Sequence, residues 1–294
     1  RYEAIYHADV LGYEAVATLR ELMEAIREAD VILVGDYHTL HIAQKTYLKL
    51  IKRIRSRQTT LALEFFPTDG QPAIDAWLNG RIKERTLLRR TNYKSRWPYD
   101  IWPDIKPIAE TARRRGWDLL GIDSAREAHR PLTEADDWMA EVIVNHLSEA
   151  PAKTRVMTLV GELHLATGHL PAALKRTARK TLGRELRVLS VLQNNETLYW
   201  QLMSEPQHQD REIVRVDRDT FCILNTPPVV VQQSYLNWIE YEVDTLGYEH
   251  LQRNFRELAS SVARALGVRM PSAFSEFSVH GPDDQDVIED LEAQ

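Results

Sequence analysis

The feature that most constrains this chain is a repeat. Val31-Ile32-Leu33-Val34-Gly35-Asp36-Tyr37-His38 returns later as Val156-Met157-Thr158-Leu159-Val160-Gly161-Glu162-Leu163-His164. Each copy is a short apolar run, then Gly, an acid, one further residue and a His. A continuous apolar run of this kind reads as a strand buried on both faces, the pattern of a parallel sheet. Glycine lets the chain turn sharply at the strand's end, so the acid and the His stand where the next helix begins. In an open α/β sheet that is the carboxyl edge, where ligands bind. Two copies on one sheet would aim two imidazoles and two carboxylates at one place.

The rest of the chain predicts the walls of that place. Tyr13 to Ala29 has helical apolar spacing, and Val31 to Val34 is the first strand. His38 to Arg55 is the next helix, with His41 on the same side of its first turn as His38. Thr59 to Leu63 is the second strand, ended by Glu64, an acid badly placed for a core and well placed for a site. Gln71 to Asn79 and Ile82 to Arg90 read as short helices, and the stretch from Trp97 to Pro103 as a rigid aromatic loop. A helix from Ile105 to Arg115 stops at Gly116. Asp118 to Ile122 is the third strand, followed at the same edge by Asp123 and Arg126. Thr133 to Ser148 is a helix whose early acids, Glu134 and Asp136, suit the helix dipole. Arg155 to Val160 is the fourth strand, a helix runs from His169 to about Lys180, and Arg187 to Leu192 is the fifth strand. This alternation predicts an α/β fold, a mainly parallel sheet with helices on both faces.

The pattern changes after Asn194. Leu198 to Met203 and Ile213 to Val216 read as strands, and a hairpin turn leads into Phe221 to Leu224. Two helices follow, about Val229 to Thr245 and Glu249 to Leu266, and the acidic end from about Val279 reads as disordered. The expected organisation is an α/β domain over 1–200 and a mostly helical C-terminal extension over 201–294.

Composition excludes several classes. The 294 residues carry a net charge of −6, and the six acids between Gly281 and Gln294, with no base among them, account for all of it. A near-neutral body argues against a nucleic-acid protein; the basic stretch Lys49 to Arg57 reads as a solvated helix face. Cys222 is the only cysteine, so a disulfide within the chain and a thiolate zinc site are excluded, and its apolar neighbours suggest buried packing. No apolar run approaches the ~20 residues that span a bilayer, and no signal peptide is recognisable. The chain starts with Arg rather than Met, and cytoplasmic residence is the default expectation.

Four side chains define the candidate catalytic site: His38, Glu64, Glu162 and His164, with Asp36 a fifth. Imidazole and carboxylate together form a ligand set for zinc, manganese or ferrous iron. Such an ion would turn a bound water into a nucleophile near neutral pH, with a spare carboxylate as general base. Without a metal, His and Glu would activate water directly. In the expected arrangement His38 and His164 are ligands, Glu64 and Glu162 are ligands or base, and Asp36 orients His38. His41, Asp123 and Arg126 would support that set, unless Asp123 and Arg126 form an ion pair of their own. His169 reads as a supporting or surface residue.

These residues also carry a resemblance. The stretches Val31 to His38, Leu61 to Phe66, Tyr99-Asp100 through Asp123, Arg126-Glu127 and Thr158 to Pro171 resemble the ChaN family, which shares a superfamily with the Tiki proteases, the TraB proteins and the erythromycin esterases. Its hallmark is Gly-x-x-His near the start, an acid after the next strand and a second Gly-x-x-His; here Gly35 to His38, Glu64, and Gly161 to His164. The resemblance spans roughly residues 15 to 195. It departs in having Asp36 where Glu is usual, and no lipobox cysteine is present. The resemblance implies either haem binding linked to iron uptake, metal-dependent proteolysis, or metal-free ester hydrolysis by His and Glu.

Three functions follow as expectations. The first is an enzyme that hydrolyses an ester or amide bond in a small-molecule or peptide ligand, with a divalent ion. The second is a haem-binding protein, with the haem held by His or Tyr and the aromatics Tyr37, Trp97, Tyr99 and Trp102 packing on the macrocycle. The third is an interaction protein with a vestigial site that uses the C-terminal helices as a homodimer surface; helix 229–245 carries Val231, Tyr235, Trp238, Ile239 and Glu242 near one stripe, for which packing within the chain is the competing reading. Three converging carboxylates, Asp36, Glu64 and Glu162, suit an ion better than an apolar haem slot.

Overall fold

The computed structural model describes residues 2–56, 58–97, 100–124, 131–208 and 211–242, together with 259–260, 263 and 267–268. The chain divides into two compact units, Arg1–Tyr235 and Leu236–Gln294. In the second, the described residues are the last turns of a helix that ends at Glu242 and a few positions beyond it, among them Gly267 in the left-handed region. Helix Glu249 to Leu266 falls largely outside the described residues, and the acidic end from Val279 entirely so.

The first unit is built on one sheet. Its strands are β1 (Ala15–Val16), β2 (Val31–Asp36), β3 (Thr59–Pro67), β4 (Asp118–Asp123), β5 (Arg155–Gly161), β6 (Val188–Gln193), β7 (Ile213–Asp217) and β8 (Thr220–Ile223). Their order across the sheet is β1-β7-β8-β6-β2-β5-β3-β4. The run from β8 to β4 is parallel, and only β7 runs against its neighbours. The hairpin that sequence placed in the extension therefore completes the sheet: β8 pairs in parallel with β6, and β7 carries β1.

Helices cover both faces. On one side lie α2 (Leu19–Glu28), α3 (His41–Arg53), α4 (Gln71–Leu78), α5 (Glu84–Arg90), α6 (Tyr93–Arg96) and α7 (Trp102–Arg115), packed on Ile32, Val34, Leu61 and Leu63. On the other lie α1 (Tyr2–Asp9), α8 (Leu132–Glu149), α9 (Leu170–Leu182) and α10 (Glu196–Met203), packed on Val31, Leu33, Ala62 and Val160. The alternation of Val31 and Leu33 with Ile32 and Val34 between the two cores is the two-residue period of a strand buried on both faces. α11 (Pro228–Glu242) follows the hairpin; its Val231 is buried against Leu40 and Ala43, so that member of the expected dimer stripe packs within the chain. The side chains of Trp238, Ile239 and Glu242 lie outside the described residues.

Four local expectations are corrected. Tyr13 to Ala29 is not one helix: Thr18 caps α2 with a capping box, its hydroxyl accepting from the Glu21 N–H at 3.2 Å while Glu21 accepts from the Thr18 N–H at 2.7 Å, and Ala15 and Val16 pair with β7 instead. Leu198 to Met203 is helical, because the Asn195 side chain accepts from the Leu198 N–H and caps α10, whose Leu198 and Leu202 face the core four residues apart. His38 lies in the turn before α3 rather than in its first turn; the Leu40 N–H donates to the Tyr37 carbonyl at 2.7 Å, and the helix begins at His41. Glu64 does not end its strand: β3 continues to Pro67 with a register shift after Leu63. That bulge brings the Pro67 carbonyl to 2.6 Å from where a Cβ on Gly121 would stand, an approach only glycine allows.

β4 is one margin of the sheet. There the Gln71 side chain at the start of α4 donates to the Leu119 carbonyl at 2.9 Å and accepts from the Gly121 N–H at 3.0 Å, meeting two of the groups an edge leaves open.

Candidate functional site

The two motif strands are neighbours. β2 and β5 pair with Gly35 opposite Val160 and Asp36 opposite Gly161, and β3 lies on the far side of β5. The register therefore gathers three strand ends within two strand spacings. His38 Nε2, Glu64 Oε2 and His164 Cδ2 each lie 3.5 Å from the point where a Cβ on Gly161 would stand. The Gly161 N–H donates to Glu64 Oε2 at 2.6 Å, and His164 Nε2 stands 3.8 Å from Glu64 Oε1. Three of the sequence-nominated groups thus meet over one glycine.

Each imidazole is held from behind by a buried acid. His38 Nδ1 is 2.7 Å from Asp36 Oδ2, and His164 Nδ1 is 2.7 Å from Asp136 Oδ1. Both acids are about 3% exposed. An ionised carboxylate accepts only, so each Nδ1 is the donor in its pair. The two holders come from different places. Asp36 belongs to the motif itself; Asp136 comes from the second turn of α8.

Electrostatics strengthen both bases. Burial pulls the His38 imidazolium down, but the hydrogen bond and charge of Asp36, with the charge of Glu64, outweigh it and raise its pKa. The same balance raises His164, where burial and the charge of His38 are overcome by Asp136 and Glu64. Burial raises the Asp36 carboxyl, against the hydrogen bonds from His38 and Gln44.

Glu162 does something else. Its Cγ lies 3.2 Å from where a Cβ on Gly35 would stand, and its carboxylate accepts from the Tyr6 hydroxyl of α1. Tyr6, 4% exposed, accepts in turn from Asn195 Nδ2 at 3.1 Å. Burial lifts Glu162 to about 7, against the hydrogen bonds from Tyr6 and the Gln193 backbone. So the second motif's acid is anchored to α1, and the task Asp36 performs in the first motif falls to Asp136 in the second.

The His38 side chain is 30% exposed, whereas that of His164 is 5%. Trp97 stacks on Phe65 with centroids 4.7 Å apart, and the His38 ring meets the Trp97 ring edge-on at 5.1 Å. Asp123 pairs with Arg96 of α6. The partner nominated from sequence, Arg126, lies outside the described residues, as does Tyr99. His41 is turned outward, its side chain 71% exposed and held to Asp104 of α7. His169 is buried, with Nδ1 2.7 Å from the Leu163 carbonyl just before His164.

Sequence reading missed Asp136, Gln44, Tyr6 and Asn195. Two of them left a readable signal. Asp136 begins the buried stripe 136, 139, 140, 143, 144 of α8, and Gln44 sits among the buried residues 43, 47, 50 and 51 of α3. A polar residue on a stripe that is otherwise apolar needs a buried partner. Tyr6 and Asn195 left none, since their partner is distant in the chain.

Among the described residues, no cluster of three or more His, Cys, Asp or Glu is arranged to hold a metal ion, because Asp36 and Asp136 are spent on the imidazoles and Glu162 on Tyr6. Tyr37, half-buried, packs on a small apolar cluster of Leu40, Ala43 and Val231 beside the motif. A phenol on an apolar patch is a donor set that suits haem iron. No helix among the described residues is long and apolar enough to cross a membrane.

Comparison with known proteins adds a family. Residues 22–135 match the model of the family described as haem-binding uptake, Tiki superfamily, ChaN. That stretch takes in Asp36, His38, Glu64 and Asp123 and ends before Asp136, Glu162 and His164. A curated relative, Protein RETICULATA-RELATED 5, chloroplastic, of Arabidopsis thaliana, is 28% identical over 127 residues; these are 40% of this chain and only 17% of the relative's length. Among solved structures, the haem-binding ChaN of Campylobacter jejuni is 15% identical, with a TM-score of 0.48 over 61% of this chain and 87% of that one. The type III effector HopBA1 is 15% identical, with a TM-score of 0.45 over 69% and 90%.

Proposed function

Taking as premise that the chain is ChaN-like over residues 22–135, we propose that its carboxyl-edge site is an acid–base centre that hydrolyses an ester or amide bond in a small-molecule or peptide ligand. The observation that supports this is the convergence of His38 Nε2, Glu64 and His164 on the space over Gly161, with both imidazoles held at Nδ1 by buried acids. His38, the more exposed, takes a proton from an attacking water as its oxygen bonds to the carbonyl carbon. Glu64 stabilises the imidazolium that forms and, through the Gly161 N–H, is fixed in place. The His38 imidazolium then gives that proton to the leaving oxygen or nitrogen as the bond to it breaks, and His164, 3.8 Å from Glu64, completes the lining of the space. Among the described residues a divalent ion has no preformed ligand cluster, and no step is routed through one.

The test is turnover of a panel of p-nitrophenyl esters and fluorogenic peptides by the wild type, His38→Ala and His164→Ala. The expected result is loss of turnover in both variants with unchanged circular dichroism. Normal turnover by both would sink the reading.

A second reading is favoured by the Tyr37 cluster: haem binding, with Tyr37 as the iron's oxygen ligand and Leu40, Ala43 and Val231 as its apolar support. When bound, haem would supply one-electron and oxygen chemistry. Titration with haemin should then give a saturable Soret band that Tyr37→Phe shifts or abolishes; a flat response in the wild type would remove this reading.

A further inference from the structure

The first motif is gripped from behind by two buried glutamines. Gln193 Nε2 donates to the Gly35 carbonyl at 2.5 Å and to the Ala43 carbonyl at 3.3 Å. Gln44 Nε2 donates to Asp36 Oδ1 at 2.7 Å and approaches the Tyr37 and His38 carbonyls at 3.5 and 3.4 Å. Four consecutive residues, Gly35 to His38, thus each offer an acceptor to one of these two amides. Gln44 is 1% exposed and Gln193 3%. The acceptor oxygen of each, Oε1, is buried with no hydrogen-bond partner among the described residues.

That unmet acceptor is informative. As a space-filler, glutamine is a poor choice at 44: methionine has nearly the same shape, suits a buried helix face and leaves no polar atom unsatisfied. What glutamine adds is a donor. The orientation of its amide is fixed, because Asp36 as a carboxylate can only accept. With Oδ1 occupied by Gln44, the Asp36 carboxylate has Oδ2 facing His38 Nδ1. We propose that Gln44 is the positioning residue of the site, which through Asp36 holds His38 in the tautomer with the proton on Nδ1 and Nε2 free over Gly161. The functional part of this inference rests on the acid–base reading; the tautomer part does not. It also gives a consequence for Asp36. A shorter acid keeps its carboxylate close to the strand, within reach of α3 on one side and its own His38 on the other.

The experiment is long-range 1H–15N NMR of histidine-labelled wild type and Gln44→Met, with the His38 resonances identified by their loss in His38→Ala, beside thermal melts and ester turnover. The expected result has three parts: a Tm equal to or above wild type, a His38 that moves from the Nδ1–H pattern toward the Nε2–H pattern, and a kcat lower by about tenfold to a hundredfold with KM little changed. A Gln44→Met protein that keeps the Nδ1–H pattern overturns the proposal, whatever its turnover. If the wild type turns over no substrate, the hydrolytic reading fails while the tautomer shift still decides the role of Gln44. Gln44→Asn, whose amide is one methylene short of Asp36, gives the same readout should the methionine variant not fold.

Discussion

The imidazole of His38, from the turn after β2, and the carboxylate of Glu64, from β3, come to the same point: Nε2 of the one and Oε2 of the other each lie 3.5 Å from where a methyl group on Gly161 would sit. Gly161 has φ −49° and ψ 135°, a conformation any residue can adopt, and 3.5 Å is ordinary contact. Gly161→Ala should therefore fold, with stability within about 1 kcal/mol of wild type, while filling the space where a reacting atom would stand. The expected outcome is an unchanged urea midpoint with lost turnover. A variant that keeps both would mean the chemistry lies elsewhere.

Gly121 predicts the opposite. A Cβ there would meet the Pro67 and Phe66 carbonyl oxygens at 2.6 and 2.9 Å, and these belong to backbone that cannot swing aside. Gly121→Ala should cost about 2 kcal/mol or more through forced displacement of the β3 bulge. Urea unfolding measures it, and an unshifted midpoint would show that the bulge yields.

Asp136 is buried against His164, and removing one partner of a buried pair strands the other. Asp136→Ala should lose about 3 kcal/mol. The loss should depend on pH with a definite sign. The folded-state pKa of His164 is raised above 6.5, so its contribution is fully present below that value and fades as pH rises through the raised pKa. Wild type and variant should differ more at pH 6 than at pH 9; a constant gap would mean that Asp136 acts without regard to the charge of His164.

Glu162 is an acid raised from 4.5 to about 7. Over that interval the folded state binds more protons than the unfolded state, so stability falls as pH rises from the lower value to the upper. Glu162→Gln, which still accepts from Tyr6, should remove this slope and leave the protein more stable than wild type at pH 8 by on the order of 2 kcal/mol, the shift being discounted for partial exposure. Chemical denaturation at pH 5 and pH 8 tests it; parallel curves for the two proteins would rule out Glu162 as the titrating group.

The strands and the meeting of the motifs were legible because they depend on local pattern. A short apolar run followed by Gly-acid-x-His marks a strand end whatever lies around it, and His38 and His164 could be nominated from that alone, with Glu64 nominated as an acid directly after the apolar run Leu61-Ala62-Leu63. What could not be read was which acid serves which imidazole. The two motifs look equivalent in sequence, yet Asp36 holds His38 while Glu162 is drawn off by Tyr6, 156 positions away. The choice is made by tertiary packing, since α8 brings Asp136 to His164 and α1 brings Tyr6 to Glu162. Leu198 to Met203 failed for a different reason: its apolar run suits strand or helix equally, and the deciding signal, the Asn195 cap, is a single residue outside it.

The Gln71 amide on the margin of β4 bears on how this molecule treats copies of itself. A strand from another chain would need the Leu119 carbonyl and the Gly121 N–H to begin pairing, and one side chain of the same molecule already occupies both. The sheet can thus keep glycine at 121, which the bulge demands, without that bare stretch of backbone becoming a template for polymerisation. Gln71 makes tolerable a weakness that Gly121 imposes.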